Sequence, residues 1–553
     1  MARAWRRAIA LVGSLSAAAA VLGCGDETTA PIPPVTVTAV SPASGPLGGG
    51  TNVTITGTNF VDVTGVTIGG SELGDRTVVT ATEITGTTPA ATSAGTRDVV
   101  VTSSSREPGT CSGCFTYNPT LVLSTTSLPN ATATVPYSET LVATGGDSTY
   151  TWSVTVGSLP TGLSLTTSTG LISGTPSVVG SQTFTVQVAS GDGQTDTRQL
   201  TITVEPPVLQ PSELCSDYPD YAIATFEDTN LEAAIRTALS VGGQEHLTCG
   251  LISGLTALDA SYAEITSLVG IQNLTSLTDL LLRGNSISDI SALSGLTSLR
   301  RLSLGGNSIS DIGALSGLTS LTYLLLGGNS ISDISALSGL TSLEILHLGV
   351  NSISDISALS GLTSLRGLYF DYNSISDISA LSGLTSLTWL VLDHNSISDI
   401  SALSGLTSLT WLELDSNSIS DISALSGLTS LTDLFLGSNS ISDISPLSGL
   451  TSARSLGLAN NSISDISGLS GLTSLTYLNL GYNSISDISA LGGLTSLTDL
   501  RLNNNPNLTD IQPLLNNAGL GAGDTVELQG TSVSCSDVAA LEAKGVTVLS
   551  DCP

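Results

Sequence analysis

The residues best able to do chemistry gather in one stretch of the sequence. Trp389 and Trp411 stand 22 positions apart, Tyr369 and Phe435 flank them, and Asp371, Asp393 and Asp415 form a row beside them with His394 and Glu413 close by. A carboxylate pair such as Glu413 with Asp393 or Asp415 could mimic the acid and base of a glycosidase. That chemistry needs an enclosing cleft, and nothing else in the chain supports catalysis. The histidines are only His246, His347 and His394, no HExxH or GxSxG motif occurs, and no segment is left over for a catalytic domain. Clustered aromatics edged by acids fit a binding surface better, because rings supply contact area and carboxylates supply selectivity by charge. No catalytic residue, metal site or cofactor is expected.

The cysteines carry a second kind of chemistry. Arg3, Arg6 and Arg7 precede the apolar run IALVGSLSAAAAV and then VLGC, too short a segment to span a bilayer. VLGC resembles the lipobox of bacterial lipoproteins, which implies cleavage before Cys24 and a lipid on its sulfur. The following GDETTAPIPP has the composition of a tether. Six cysteines remain, an even number suited to an oxidising compartment, and six allow 15 pairings. Their local distribution favours Cys111 with Cys114, Cys215 with Cys249, and Cys535 with Cys552. The Cys111–Cys114 spacing also matches a redox CxxC, but no thioredoxin-like βαβ unit surrounds it.

Composition sets the frame around these residues. Aromatic residues make up 4% of the 553 positions and charged residues 11%, while glycine, serine, threonine, leucine and isoleucine abound, so short strands and turns are expected in a mainly β, multidomain chain. The formal charge of −31 with a single lysine, Lys544, argues against nucleic acid and anionic lipid headgroups as partners.

Residues 35–118 hold Val/Thr/Ile runs broken by glycine clusters, as in a β-sandwich. The opening VSPASGPLGGGTNVTITGTNF resembles the IPT/TIG immunoglobulin-like family. Residues 119–206 contain LPTGLSLTTSTGLISGTPSVVGSQTFTVQV, similar to an Ig-like domain common in bacterial surface proteins. Such sandwiches serve as spacers, adhesive units or enzyme appendages, so the resemblances imply fold and little about function. Asp147, Asp192 and Asp196 are candidate Ca²⁺ ligands, although solvated loop carboxylates explain them better.

From residue 263 the chain repeats every 22 residues on the unit LTSLTYLLLGGNSISDISALSG, the signature of a solenoid. Asn285, Asn307, Asn329, Asn351, Asn373, Asn395, Asn417, Asn439, Asn461, Asn483 and Asn505 form one column, and Ala263 holds the slot before them, giving twelve coils. The pattern is that of bacterial leucine-rich repeats and most resembles the internalin family. Leucines such as Leu324 and Leu326 are expected to point inward from a short strand while their neighbours face out on a concave sheet. Each asparagine should satisfy backbone groups where the chain turns. A second column, Asp289 through Asp487, should cap the following turn, with weak Ca²⁺ association as the alternative. FEDTNLEAAIRTAL looks like the N-terminal cap of internalins, and SDVAALEAKGVTVL reads as a helix and strand closing the other end.

The expected organisation is a signal segment at 1–23, a tether at 24–34, sandwiches at 35–118 and 119–206, a cap at 207–262, repeats at 263–515 and a second cap at 516–553. Twelve strands at roughly 4.8 Å would span about 53 Å over eleven gaps, enough for a protein or a glycan chain. The expected function is an exported, lipid-anchored, surface-exposed protein of the bacterial envelope that binds or adheres through the concave face. A structural scaffold without a specific ligand is the alternative. Asp371, Asp393 and Asp415 are expected as rim charges steering a basic or Ca²⁺-bridged partner. The sandwiches here precede the repeats, whereas internalins usually carry an Ig-like domain after them. That departure puts a role in host invasion in doubt.

Overall fold

The computed structural model describes residues 31–553, so the lipobox and Cys24 lie outside the described residues. The described residues divide into two compact units, 31–205 and 206–553.

The first unit holds two β-sandwiches. In one, a four-stranded sheet (Thr36–Ser41, Asn52–Thr58, Glu83–Thr87, Gly74–Thr80) faces a five-stranded sheet built around Gly95–Ser103 and Gly109–Asn118. Alternation along these strands buries Ile55, Ile84, Val99, Val101 and Phe115 between the layers. In the other, Gly180–Ser190 and Thr195–Glu205 pair along their length and pack Trp152, Phe184, Val186 and Ile202 into the core. The loop carboxylates are taken up in hydrogen bonds to backbone and side chains. Asp147 accepts from the Ser190 hydroxyl at 2.7 Å and from Thr149 N at 2.9 Å, Asp192 from Asn118 Nδ2 at 2.8 Å, and Asp196 from Leu123 N at 2.8 Å. Among the described residues no group of three or more His, Cys, Asp or Glu side chains is placed to hold a metal ion.

The second unit is a solenoid around one continuous parallel sheet of 14 strands, running from Ala257–Asp259 to Thr547–Leu549. Leu324, Leu326, Ile331 and Leu337 of one coil are fully buried, and their equivalents stack above and below them. Each asparagine ties two coils together. Asn395 Nδ2 donates to Phe370 O at 2.9 Å and Leu392 O at 3.0 Å, while its Oδ1 accepts from Ile375 N at 3.0 Å. On the return side, Asp289 Oδ1 accepts from Ser291 N at 2.8 Å at the start of a 3-10 turn, and Asp399 does the same for Ser401 N at 2.8 Å.

The caps follow from local chemistry. Asp228 caps the helix Thr229–Leu239, accepting from Asn230 N and Leu231 N, and the helix buries Leu231 and Ile235 against the first coil. Cys215 is joined to Cys249 and Cys535 to Cys552, one pair in each cap, and Cys111 to Cys114 in the first sandwich. The stretch expected as the C-terminal cap contributes two strands to the sheet, because Thr525–Glu527 pairs with Asp499–Arg501 before the helix Cys535–Ala543. Lys544 Nζ then donates to the carbonyls of Leu514, Leu515 and Asn517, closing the end of the short helix Gln512–Asn516. Among the described residues no helix is long and apolar enough to cross a membrane.

Candidate functional site: an aromatic and acidic patch on the concave sheet

The parallel register sets the site. Gly367, Trp389, Trp411 and Asp433 are successive partners across four strands, and Tyr369, Val391, Glu413 and Phe435 form the parallel row two residues on. Leucines between these rows point into the core, so both rows face out. Trp389 and Trp411 stack with centroids 4.5 Å apart and planes 11° apart, and Phe435 leans on Trp411 at 5.7 Å and 45°. Trp389 keeps 37% of its surface exposed. Tyr369 stacks on His347 at 5.5 Å, extending the aromatic band by one coil.

Glu413 anchors the band, its Oε1 accepting from Trp411 Nε1 at 2.6 Å. Val391, although on the outward row, is only 8% exposed because the larger side chains of that row close over it. Asp393 and Asp415 differ from the sequence-based expectation of rim charges. Both are half-buried, with Asp393 Oδ1 accepting from Asp415 N at 2.8 Å and Asp415 Oδ1 accepting from Gly437 N. The physical reason is stacking, since each carboxyl is roofed by the next coil. Burial pushes the Asp393 carboxyl up to about 8, helped by its hydrogen bond with Glu413 and the charges of Glu413 and Asp415. Burial also raises Asp415, against the pull of the Gly437 N–H. Asp371 sits in the same column one coil earlier, against Gly349.

His394 lies at the margin of the patch and stacks on Tyr372 at 4.0 Å and 12°. Sequence reasoning missed Tyr372. The position just before each asparagine takes a left-handed backbone, at φ 53° for Tyr372 and 54° for His394, and Gly284, Gly306 and Gly328 fill the same slot in earlier coils. Replacement of glycine by large side chains in that column was the available signal.

The structure thus brings Trp389, Trp411, Phe435, Tyr369, Glu413, Asp393 and Asp415 into one patch, with Asp371 and His394 at its edge. The rings face outward from a sheet of stacked parallel strands, and the two sandwiches with this solenoid place the molecule among multidomain leucine-rich-repeat proteins. The IPT/TIG domain model matches residues 34–119, the model described as Putative Ig domain matches 118–205, and leucine-rich-repeat models match segments between 275 and 516. Among solved structures, an internalin (inlF) from Listeria monocytogenes is 36% identical with a TM-score of 0.56, over 59% of this chain and 96% of that one. An internalin C2 from the same species is 34% identical with a TM-score of 0.33, over 42% of this chain and 93% of that one. A leucine-rich-repeat protein from Leptospira interrogans is 22% identical with a TM-score of 0.47, over 54% and 85%. Comparison with curated proteins found no match. The chain belongs to the internalin-like leucine-rich-repeat proteins. A solenoid of this type is a protein-binding scaffold, typically without enzymatic activity.

Proposed function

We propose that this chain is an exported bacterial envelope protein, tethered through lipid on Cys24, that binds a protein partner with the concave face around Trp389 and Trp411. The observation that carries the reading is the exposed tryptophan stack itself. Large apolar side chains on a solvated sheet face lower solubility unless something covers them, and interface energy concentrates in such anchors. The two sandwiches suit a spacer between the anchor and the solenoid. The test is a screen of the purified full chain against arrays of extracellular proteins and glycans, beside the Trp389→Ala/Trp411→Ala variant. Protein hits that vanish with the variant support the reading. Hits that persist, or glycan hits alone, overturn it. Anchoring is checked separately: Cys24→Ser should move the protein from the membrane fraction to the soluble one, and retention in the membrane contradicts the lipid tether.

A further inference from the structure

We propose that Asp393 and Glu413 share one proton, and that this proton is a pH-sensitive latch holding the indole of Trp411, and with it the tryptophan stack, in place for docking. The latch is read from the side chains themselves, and its effect on docking rests on the concave-face reading.

Glu413 is held from two sides. Its Oε1 accepts the Trp411 N–H at 2.6 Å, and its carboxyl is also hydrogen-bonded to that of Asp393 on the preceding coil. Ionised carboxylates offer only acceptors, so a bond between two of them requires a proton on one. Asp393 is tied in place by a second bond, since its Oδ1 accepts the Asp415 N–H at 2.8 Å.

No cation does the proton's work. Asp393 is faced by Glu413 and Asp415 on the next coil, and its own chain neighbour His394 is stacked on Tyr372 and pulls on the Asp415 carboxyl. Asp371, one coil earlier, leans back over Gly349, and Tyr369 is raised partly by the charge of Glu413. Asp433, the register partner of Trp411, is taken up by the Thr432 hydroxyl at 2.7 Å. The ion pairs among the described residues lie elsewhere, joining Arg236 to Glu232 and Arg501 to Asp499 and Glu527. A half-buried carboxyl crowded by two others keeps its proton, because ionising it costs both desolvation and repulsion. Its titration is accordingly pushed up to about 8.

The direction of the switch follows. Below that range the pair is one acid and one carboxylate, joined by the shared proton. As pH rises the proton leaves to water, the two carboxylates repel, and Glu413 swings away from the Trp411 N–H. The rings keep their stacking partners but lose the bond that fixes their orientation.

The experiment records tryptophan fluorescence and the infrared carbonyl band of protonated carboxyls on the full chain from pH 5 to pH 10, with Trp389→Ala/Trp411→Ala as the blank for the remaining tryptophans. Wild type should show a fluorescence transition centred near pH 8 and a carboxylic-acid band at pH 7. Asp393→Asn and Glu413→Gln, whose amides keep a donor between the two side chains, should abolish the transition, and Asp393→Asn should weaken the band. Asp415→Asn should keep the transition and move it to lower pH, because a neighbouring charge is gone. A flat wild-type profile, a transition that survives in both amide variants, or its loss in Asp415→Asn alone overturns the latch. For docking, a protein hit of the array screen should bind wild type about tenfold more weakly at pH 9 than at pH 7, since only the protonated fraction is competent, and should bind Asp393→Asn equally at both. Equal wild-type affinity at the two pH values overturns the gating of docking. If the transition is present but no hit depends on the tryptophans, the concave-face reading falls and the latch stands. If hits depend on the tryptophans and the transition is missing, the latch falls alone.

Discussion

Two columns of aspartate run through the same coils, and they behave in opposite ways. On the return side, Asp355, Asp377, Asp399 and Asp421 each receive a backbone N–H two residues on, and that bond holds the carboxyl below its usual range even where a like charge stacks on the next coil. On the concave side, Asp393 and Asp415 also accept backbone N–H groups, yet burial and crowding with Glu413 push both up. The difference teaches that residue type and spacing do not set the electrostatics of a repeat. Exposure to water and the size of the neighbouring side chains do. The return side is nearly identical from coil to coil and serves the architecture. The concave side varies and concentrates the carboxyls that burial raises.

The largest effect that would sharpen this contrast is in the ladder. Asn395→Ala removes bonds to Phe370 O, Leu392 O and Ile375 N. Leaving such groups unpaired should cost about 2–4 kcal/mol of stability in a denaturant melt. A loss below about 1 kcal/mol would mean the asparagine column is dispensable.

A smaller effect separates the two aspartate columns by pH. Because Asp393 is raised when folded, its contribution is complete below the ordinary carboxylate range and is lost as pH climbs toward about 8. Asp399 is lowered when folded, so its contribution is present above the ordinary range and lost as pH falls through the depressed value. Melting temperature measured from pH 3 to pH 9 should therefore fall less on the alkaline side in Asp393→Asn, while Asp399→Asn should alter only the acid limb. Parallel profiles for both variants would erase the distinction.

The smallest effect concerns the left-handed column. Val350 holds φ 57° with 55% of its surface exposed. Relief of that strain should outweigh the entropy of a more flexible unfolded chain, so Val350→Gly should stabilise by about 0.5–1 kcal/mol. A destabilised variant would show that the side chain packs usefully.

Much of this architecture was legible because each position of the 22-residue unit carries its own local chemistry. Leu324 and Leu326 alternate inward, Asn329 bridges coils by donating to Leu304 O, and Asp333 accepts from Ser335 N at 2.8 Å, each readable from spacing alone. The strand Thr525–Glu527 was not legible, because its partner Asp499 lies 26 positions earlier, from 499 to 525, and the period breaks there. Within the site, the rows of Trp389 and Glu413 were readable from strand alternation. The half-burial of Asp393, the cover over Val391 and the Tyr372–His394 stack were not, since they depend on which side chains meet across coils.

The central claim is that affinity resides on the concave rings and stability in the ladder behind them. The most direct measurement takes a protein partner found by the array screen and titrates it against wild type and Trp389→Ala/Trp411→Ala, with melting temperatures recorded on the same samples. The account predicts binding weaker by at least about 2 kcal/mol, roughly thirtyfold, with nearly unchanged melting. Unchanged affinity in a folded double variant would contradict it and move the binding site to the sandwiches or the return face.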